Sequence, residues 1–143
     1  MREIKTEIQI SSKPEKVWEI LIDLPNWSKW NPIVNKIEGN LEVGGKLFII
    51  MCDKEGKAGR SYTSVVTAFD KNKCLRFVGK MMANFMFSAD RIIELKDSNS
   101  GTLFIQREIY SGFMVPLFWK KLNEFALPML HSMNKGLKKR VEN

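Results

Sequence analysis

The chain has 143 residues, 44% of them hydrophobic and 27% charged, which are globular proportions and exclude wholesale disorder. That length suits one domain, 1–143, able to bury roughly two-thirds of the surface an unfolded chain exposes, and no run approaches the ~18 apolar residues of a membrane-spanning helix. The net charge of +7 admits nucleic acid, an anionic surface or an anionic ligand, yet its basic cluster is the C-terminal KGLKKRVEN, where Lys and Arg complement a helix end, and no nucleic-acid motif accompanies it.

The opening EIKTEIQI alternates Ile4, Ile8 and Ile10 with Glu3, Lys5, Glu7 and Gln9, the period of a half-buried strand. In the SSKPE that follows, Ser12 with Glu15 three residues on reads as a capping box, and Pro14 suits a first helical turn. A short helix from Pro14 to Ile22 then puts Val17, Trp18, Leu21 and Ile22 on one stripe. PNWSKWNP, residues 25 to 32, limits further helix by its two prolines; Trp30 is expected to pack inward and Trp27 to sit at a rim.

Six strand-like runs separated by turn signals come next: 33–41, 46–52, 61–69, 74–80, 85–95 and 102–110. Short links make an antiparallel meander the economical topology. From Pro116 the period becomes helical, with Phe118, Leu122, Phe125, Met129 and Met133 joined by Ala126, Leu130 and Leu137. Pro128 lies inside this stretch, removes one amide donor and predicts a kink near residues 124–127. The elements sum to an α+β fold of about seven strands and one long helix.

The opening strand with SSKPEKVWEILIDLPNWSKWNPIV, the EVGGKL turn, and GTLFIQREIYSGFMVPLFWKKL running into MNKGLKKRVE resemble the START-like (SRPBCC, helix-grip) superfamily, and within it the polyketide cyclase/dehydrase-like branch. The resemblance spans nearly the whole chain. It implies a curved antiparallel sheet gripping the C-terminal helix, two short helices after the first strand, and a largely apolar cavity between sheet and helix. Such proteins bind lipids, sterols, polyketides, hormones or quinones, and a minority are enzymes; fold does not decide which.

The last hairpin is legible without the family. A four-residue turn at Ser98 to Gly101 pairs Leu95 with Phe104, Ile93 with Gln106 and Arg91 with Glu108, whereas a one-residue slip sets Arg91 against Arg107, a like-charge pair. One face then carries Phe87, Arg91, Ile93, Phe104, Gln106, Glu108 and Tyr110, and the resemblance turns it toward the cavity. Arg91 and Gln106 stand where the family often has histidine, which weakens the transfer of a histidine-based acid/base role. An interior Arg91–Glu108 pair is either a structural ion pair or, with Gln106, Tyr110 and Tyr62, the clamp for a ligand's polar head, whose tail lies along Phe87, Phe104, Phe125 and Met129 with Trp30 at one end.

Three functions compete. The first is a carrier or sensor of a small hydrophobic or amphipathic molecule. The second is a cyclase or dehydratase using Glu108, Arg91 and Tyr110, against which a neighbouring arginine lowers rather than raises a carboxyl pKa. The third is a protein-binding module like the Hsp90-activator branch, or a homodimer contact, through Ile105 and Ile109 exposed on the outer face.

The opening MREIKTEIQI lacks a signal-peptide core, so a cytoplasmic location is expected, with Cys52 and Cys74 free and buried. His131, the single histidine, has no orienting carboxylate at helical spacing, and the sequence offers no metal-ligand or cofactor motif. Met81, Met82, Met86, Met114, Met129 and Met133 either line an adaptable pocket or fill gaps.

Overall fold

The computed structural model describes residues 1–80 and 86–143. Strand β1 (Arg2–Ile10) leads into helix α1 (Pro14–Ile22), a 3-10 turn (Leu24–Asn26) and the one-turn helix α2 (Trp27–Trp30). Six further strands follow: β2 (Val34–Gly39), β3 (Lys46–Cys52), β4 (Ala58–Asp70), β5 (Cys74–Lys80), β6 (Ser88–Ser98) and β7 (Gly101–Ser111). Helix α3 (Val115–Glu142) ends the chain. The strands form one antiparallel, curved sheet in the order β1-β7-β6-β5-β4-β3-β2, so the meander closes by laying β7 beside β1. This is the helix-grip α+β arrangement, with β1 and β7 under the long helix. No helix in the described residues is long and apolar enough to cross a membrane.

The sheet's concave face holds the core. Ile4, Ile10, Leu47, Ile49, Val66, Leu75, Phe77, Ile93, Leu95 and Phe104 are buried there. They divide into two clusters. The larger joins α1, α2 and the C-terminal half of α3 through Trp18, Leu21, Met133, Leu137 and Val141. The smaller gathers Ile4, Tyr110, Val115, Ala126 and Leu130 with Trp119 and Leu122 packed against it.

Several expectations are corrected by packing. The residue bounding α1 is Lys13, extended at φ −66° and ψ 152°, and no side chain caps the helix. Pro14 at the first helical position forces its predecessor out of the helical region, so Ser12 falls outside the cap and the capping box does not form. Ile22, placed on the buried stripe, is exposed.

Trp27 is buried, not at a rim: its indole N–H donates to the Leu21 carbonyl at 2.8 Å and its ring lies 5.3 Å from that of Trp30. PNWSKWNP is therefore a plug for the core. Asn31 caps its own exit, its Oδ1 accepting the Ile33 amide at 3.2 Å.

In α3 the buried residues are Val115, Ala126, Leu130, Met133, Asn134, Leu137 and Val141, while Phe118 and Phe125 are exposed. The helix runs as one element through Pro128. Ile105, expected on the surface, is buried, and Ile109 is half-buried. Ile105 lies opposite Glu7 and Glu94, and the neighbouring outward residues pair as Arg107–Glu94 and Arg76–Asp90, so long charged side chains roof that face. Cys52 and Cys74 are free and half-buried rather than buried, and burial pushes both thiols up.

Gly136 is where α3 touches α2. A Cβ there would sit 2.1 Å from the Trp30 carbonyl oxygen, a backbone atom with little room to yield. Gly136→Ala, which stabilises an isolated helix by ~1 kcal/mol, is expected to destabilise this protein by about 1–3 kcal/mol through that clash. Urea unfolding of the variant checks the sign.

Candidate ligand site

Between the two apolar clusters lies a layer of buried polar side chains. The register predicted for the last hairpin is the one observed: Arg91 faces Glu108, Ile93 faces Gln106 and Leu95 faces Phe104. Inward projection from neighbouring strands then joins the first pair. Arg91 Nε donates to Glu108 Oε2 at 2.6 Å, Nη2 pairs with the same carboxylate, and Nη1 donates to Gln106 Oε1 at 3.2 Å while approaching Met133 Sδ at 3.9 Å. The Tyr110 hydroxyl donates to the other oxygen of Glu108.

Behind this pair a second line of bonds reaches the helix. Gln106 Nε2 donates to Asn134 Oδ1 at 2.7 Å and to the Leu130 carbonyl at 3.3 Å, and Asn134 Nδ2 donates to Thr6 Oγ1 at 3.0 Å. Strands β1, β6 and β7 and helix α3 are thereby tied at one level.

A cavity of about 50 Å³ opens in front of the pair, lined by Tyr62, Ser64, Phe77, Gly79, Ala89, Arg91 and Glu108. Gly79 makes it. Standing opposite Ser64 on one side and Ala89 on the other, it leaves space where a Cβ would meet Ser64 Oγ at 3.1 Å and the Tyr62 ring at 3.3 Å. Ser64 is fully buried, and its hydroxyl has no hydrogen-bond partner among the described residues.

The volume falls well short of the ~300–1,000 Å³ of a drug-sized ligand pocket. Ile93, Phe104, Leu130 and Met133, on the inner faces of sheet and helix where the largely apolar cavity was expected, are fully buried. A larger depression of about 250 Å³ lies under the 3-10 turn, but its charged walls, Lys36 and Glu38, are exposed and paired with each other at 3.7 Å.

Charge in the site is balanced. Burial opposes the Arg91 charge, and Glu108 together with Tyr62 and Tyr110 more than offsets that, leaving the guanidinium pKa above its ordinary value. Burial pushes the Tyr110 phenol far up, and the charge and hydrogen bond of Glu108 add to it. Burial also raises Tyr62, with Arg91 pulling it back and Glu108 pushing it further.

These are the chain's two tyrosines, so tyrosinate absorbance reports on the site directly. At pH 10, where free tyrosine is about half ionised, the folded protein is expected to show well under half of the full signal. The same shifts stabilise the fold below the unfolded value of about 10, and that contribution is lost as pH rises through the folded values.

The other residues singled out from sequence are dispersed. Phe87 packs on Tyr110 with ring centroids 5.9 Å apart. Ile93 and Phe104 are fully buried in the core, and Trp30 is buried there too, away from the cavity walls. Phe125 is 69% exposed and Met129 half-buried. His131 is exposed. Met81 and Met82, and Phe85 at the expected start of β6, lie outside the described residues. Ser64, Gly79 and Asn134 were not singled out, although a glycine inside a strand run and an asparagine on an apolar helical stripe are visible signals.

A family model described as polyketide cyclase / dehydrase and lipid transport matches residues 1–142. The chain belongs to that family. No curated protein matches it.

Among solved structures, a protein from Rhodobacter sphaeroides superposes with TM-score 0.79 at 14% identity, covering 98% of this chain and 91% of its own. A Mesorhizobium loti protein gives 0.76 at 21% identity, with 99% and 97% covered. The di-domain aromatase/cyclase StfQ of the steffimycin biosynthetic pathway gives 0.78 at 10% identity, and this polyketide cyclase/dehydrase family member spans 50% of that chain. At these identities the likeness is one of fold.

Proposed function

We propose that the chain binds a small amphipathic molecule, lipid-, polyketide- or quinone-like, as a carrier or sensor. One observation carries this reading: a paired, mostly buried Arg91 and Glu108, with Tyr110 bonded to the same carboxylate, form the floor of a small cavity whose walls include Phe77, Ala89 and a Ser64 hydroxyl unpartnered among the described residues. A few convergent polar groups among apolar ones suit a small-molecule site.

The cavity accepts one end of the ligand, and α3 supplies a surface for the rest. Phe118, Phe125, Met129 and Gly136 follow one another at spacings of seven, four and seven residues and so share a flank of the helix. Gly136 abuts Trp30, so that flank faces α2 across the concave sheet. Phe118 and Phe125, 43% and 69% exposed, leave apolar surface on that flank, and in this reading the rest of the ligand lies against it.

The cyclase or dehydratase alternative asks Tyr110 or Glu108 to exchange a proton with substrate. The Tyr110 proton is held by Glu108 and its phenol is shifted away from neutrality, which favours the carrier reading. Native mass spectrometry of freshly purified protein, followed by solvent extraction, tests it. A discrete small-molecule adduct supports binding, whereas an apo mass together with turnover of a polyketide-like substrate panel replaces the carrier with an enzyme.

A further inference from the structure

This inference rests on the proposed binding reading and names the chemistry of the group that enters the cavity. All three guanidinium nitrogens of Arg91 already face protein acceptors: Nε and Nη2 the Glu108 carboxylate, Nη1 Gln106 Oε1 and the Met133 sulfur. The planar fork that would take a carboxylate or phosphate in two parallel bonds is spent on Glu108. Arg91 and Glu108 side chains are 15% and 12% exposed, and their charges cancel.

An entering anion would meet the Glu108 carboxylate with no free cation among the described lining residues to match it. In such surroundings an unpaired charge is far costlier than a neutral polar group. What the walls do offer is neutral. The Ser64 hydroxyl is buried and without a partner among the described residues, and burial keeps the Tyr62 phenol protonated beside it. Each can donate one hydrogen bond and accept another.

We infer that the group bound at the cavity floor is an uncharged oxygen function, a hydroxyl or a carbonyl on a ring or chain, and that the site selects against carboxylates and phosphates. The chain's net charge of +7 does not alter this, because the arginine of the site is neutralised where it stands.

The test uses two probes of nearly the same shape, 2-naphthol and 2-naphthoate, titrated calorimetrically into the full chain at neutral pH, where the first is neutral and the second anionic. The naphthol is expected to bind at least tenfold more tightly. Ser64→Ala is expected to weaken naphthol binding about five- to tenfold while leaving stability unchanged or slightly raised, since the lost hydroxyl has no partner among the described residues to abandon.

Naphthoate binding as tightly as naphthol or more so overturns the inference and leaves the binding reading in place. Naphthol affinity unchanged in Ser64→Ala overturns it too, because the oxygen then sits elsewhere. Binding of neither probe at about millimolar concentration removes the binding reading for ring-sized ligands and the inference with it.

Discussion

Arg91→Met is expected to lower the unfolding free energy by about 3–5 kcal/mol, the usual cost of removing one partner from a buried ion pair. A chain of this length has roughly 7–20 kcal/mol in total, so the variant loses a large share of its stability. The loss comes from what is left behind. Glu108 keeps the Tyr110 hydroxyl but loses its counter-charge, and Gln106 Oε1 loses its donor. Methionine fills most of the volume, so little of the effect is a cavity.

The double variant Arg91→Met/Glu108→Leu separates the cost of breaking the pair from its net worth. Replacing both members with apolar side chains of similar size is often neutral or stabilising. The double variant is therefore expected to recover most of the stability lost by the single one, and chemical denaturation of both, with unchanged slopes, measures this. A single-variant loss below about 1 kcal/mol would place the pair in the class of solvent-screened surface pairs. Recovery of stability without recovery of ligand binding would show that the pair is kept for the site.

The fold was legible because its signals are local and agree with one another. Alternation in EIKTEIQI fixed a strand, and Gly and Asp/Asn turns punctuated the meander. Like-charge repulsion between Arg91 and Arg107 chose the hairpin register that the structure has. The ends of elements were less secure. The capping box at Ser12 failed because Pro14 moved the boundary to Lys13, a short-range steric effect that outweighs a possible hydrogen bond.

Periodicity also misjudged which helical residues are covered. Phe118, Leu122, Phe125 and Met129 make an apolar run, but the stripe of α3 that meets the sheet is centred on Ala126, Leu130, Met133 and Leu137, one flank further round. The pattern locates an apolar face without saying which edge of it the sheet leaves open. For the site, the paired residues Arg91, Gln106, Glu108 and Tyr110 followed from register. Ser64, Gly79 and Asn134 did not, because their importance lies in contacts between β4, β5, β7 and α3 that no local pattern encodes.

Asn134 carries the second large effect. Fully buried on α3, it accepts from Gln106 and donates to Thr6, and so links the helix to β7 and β1. Asn134→Leu is close in size and more favourable by helix propensity, yet it leaves Thr6 Oγ1 without its donor and Gln106 Nε2 with the Leu130 carbonyl as its remaining acceptor. At about 1–3 kcal/mol for each buried group left unsatisfied, a loss of about 2–4 kcal/mol is expected. Adding Thr6→Val removes one orphan along with its partner, so the double variant should regain more than about 1 kcal/mol relative to additivity. Additive losses would mean that the Asn134–Thr6 bond contributes nothing and that the asparagine acts through Gln106. Both variants also disturb the site, since Gln106 accepts from Arg91 Nη1 and is itself held by Asn134. Hydrogen bonds are directional and apolar contacts are not, so three bonds at one level fix the rotation of α3 over the sheet more sharply than its apolar stripe does. A ligand that needs both the cavity floor on the sheet and the Phe125 flank on the helix is bound only when that rotation is fixed. Asn134→Leu should therefore lower 2-naphthol affinity even at temperatures where the variant is fully folded.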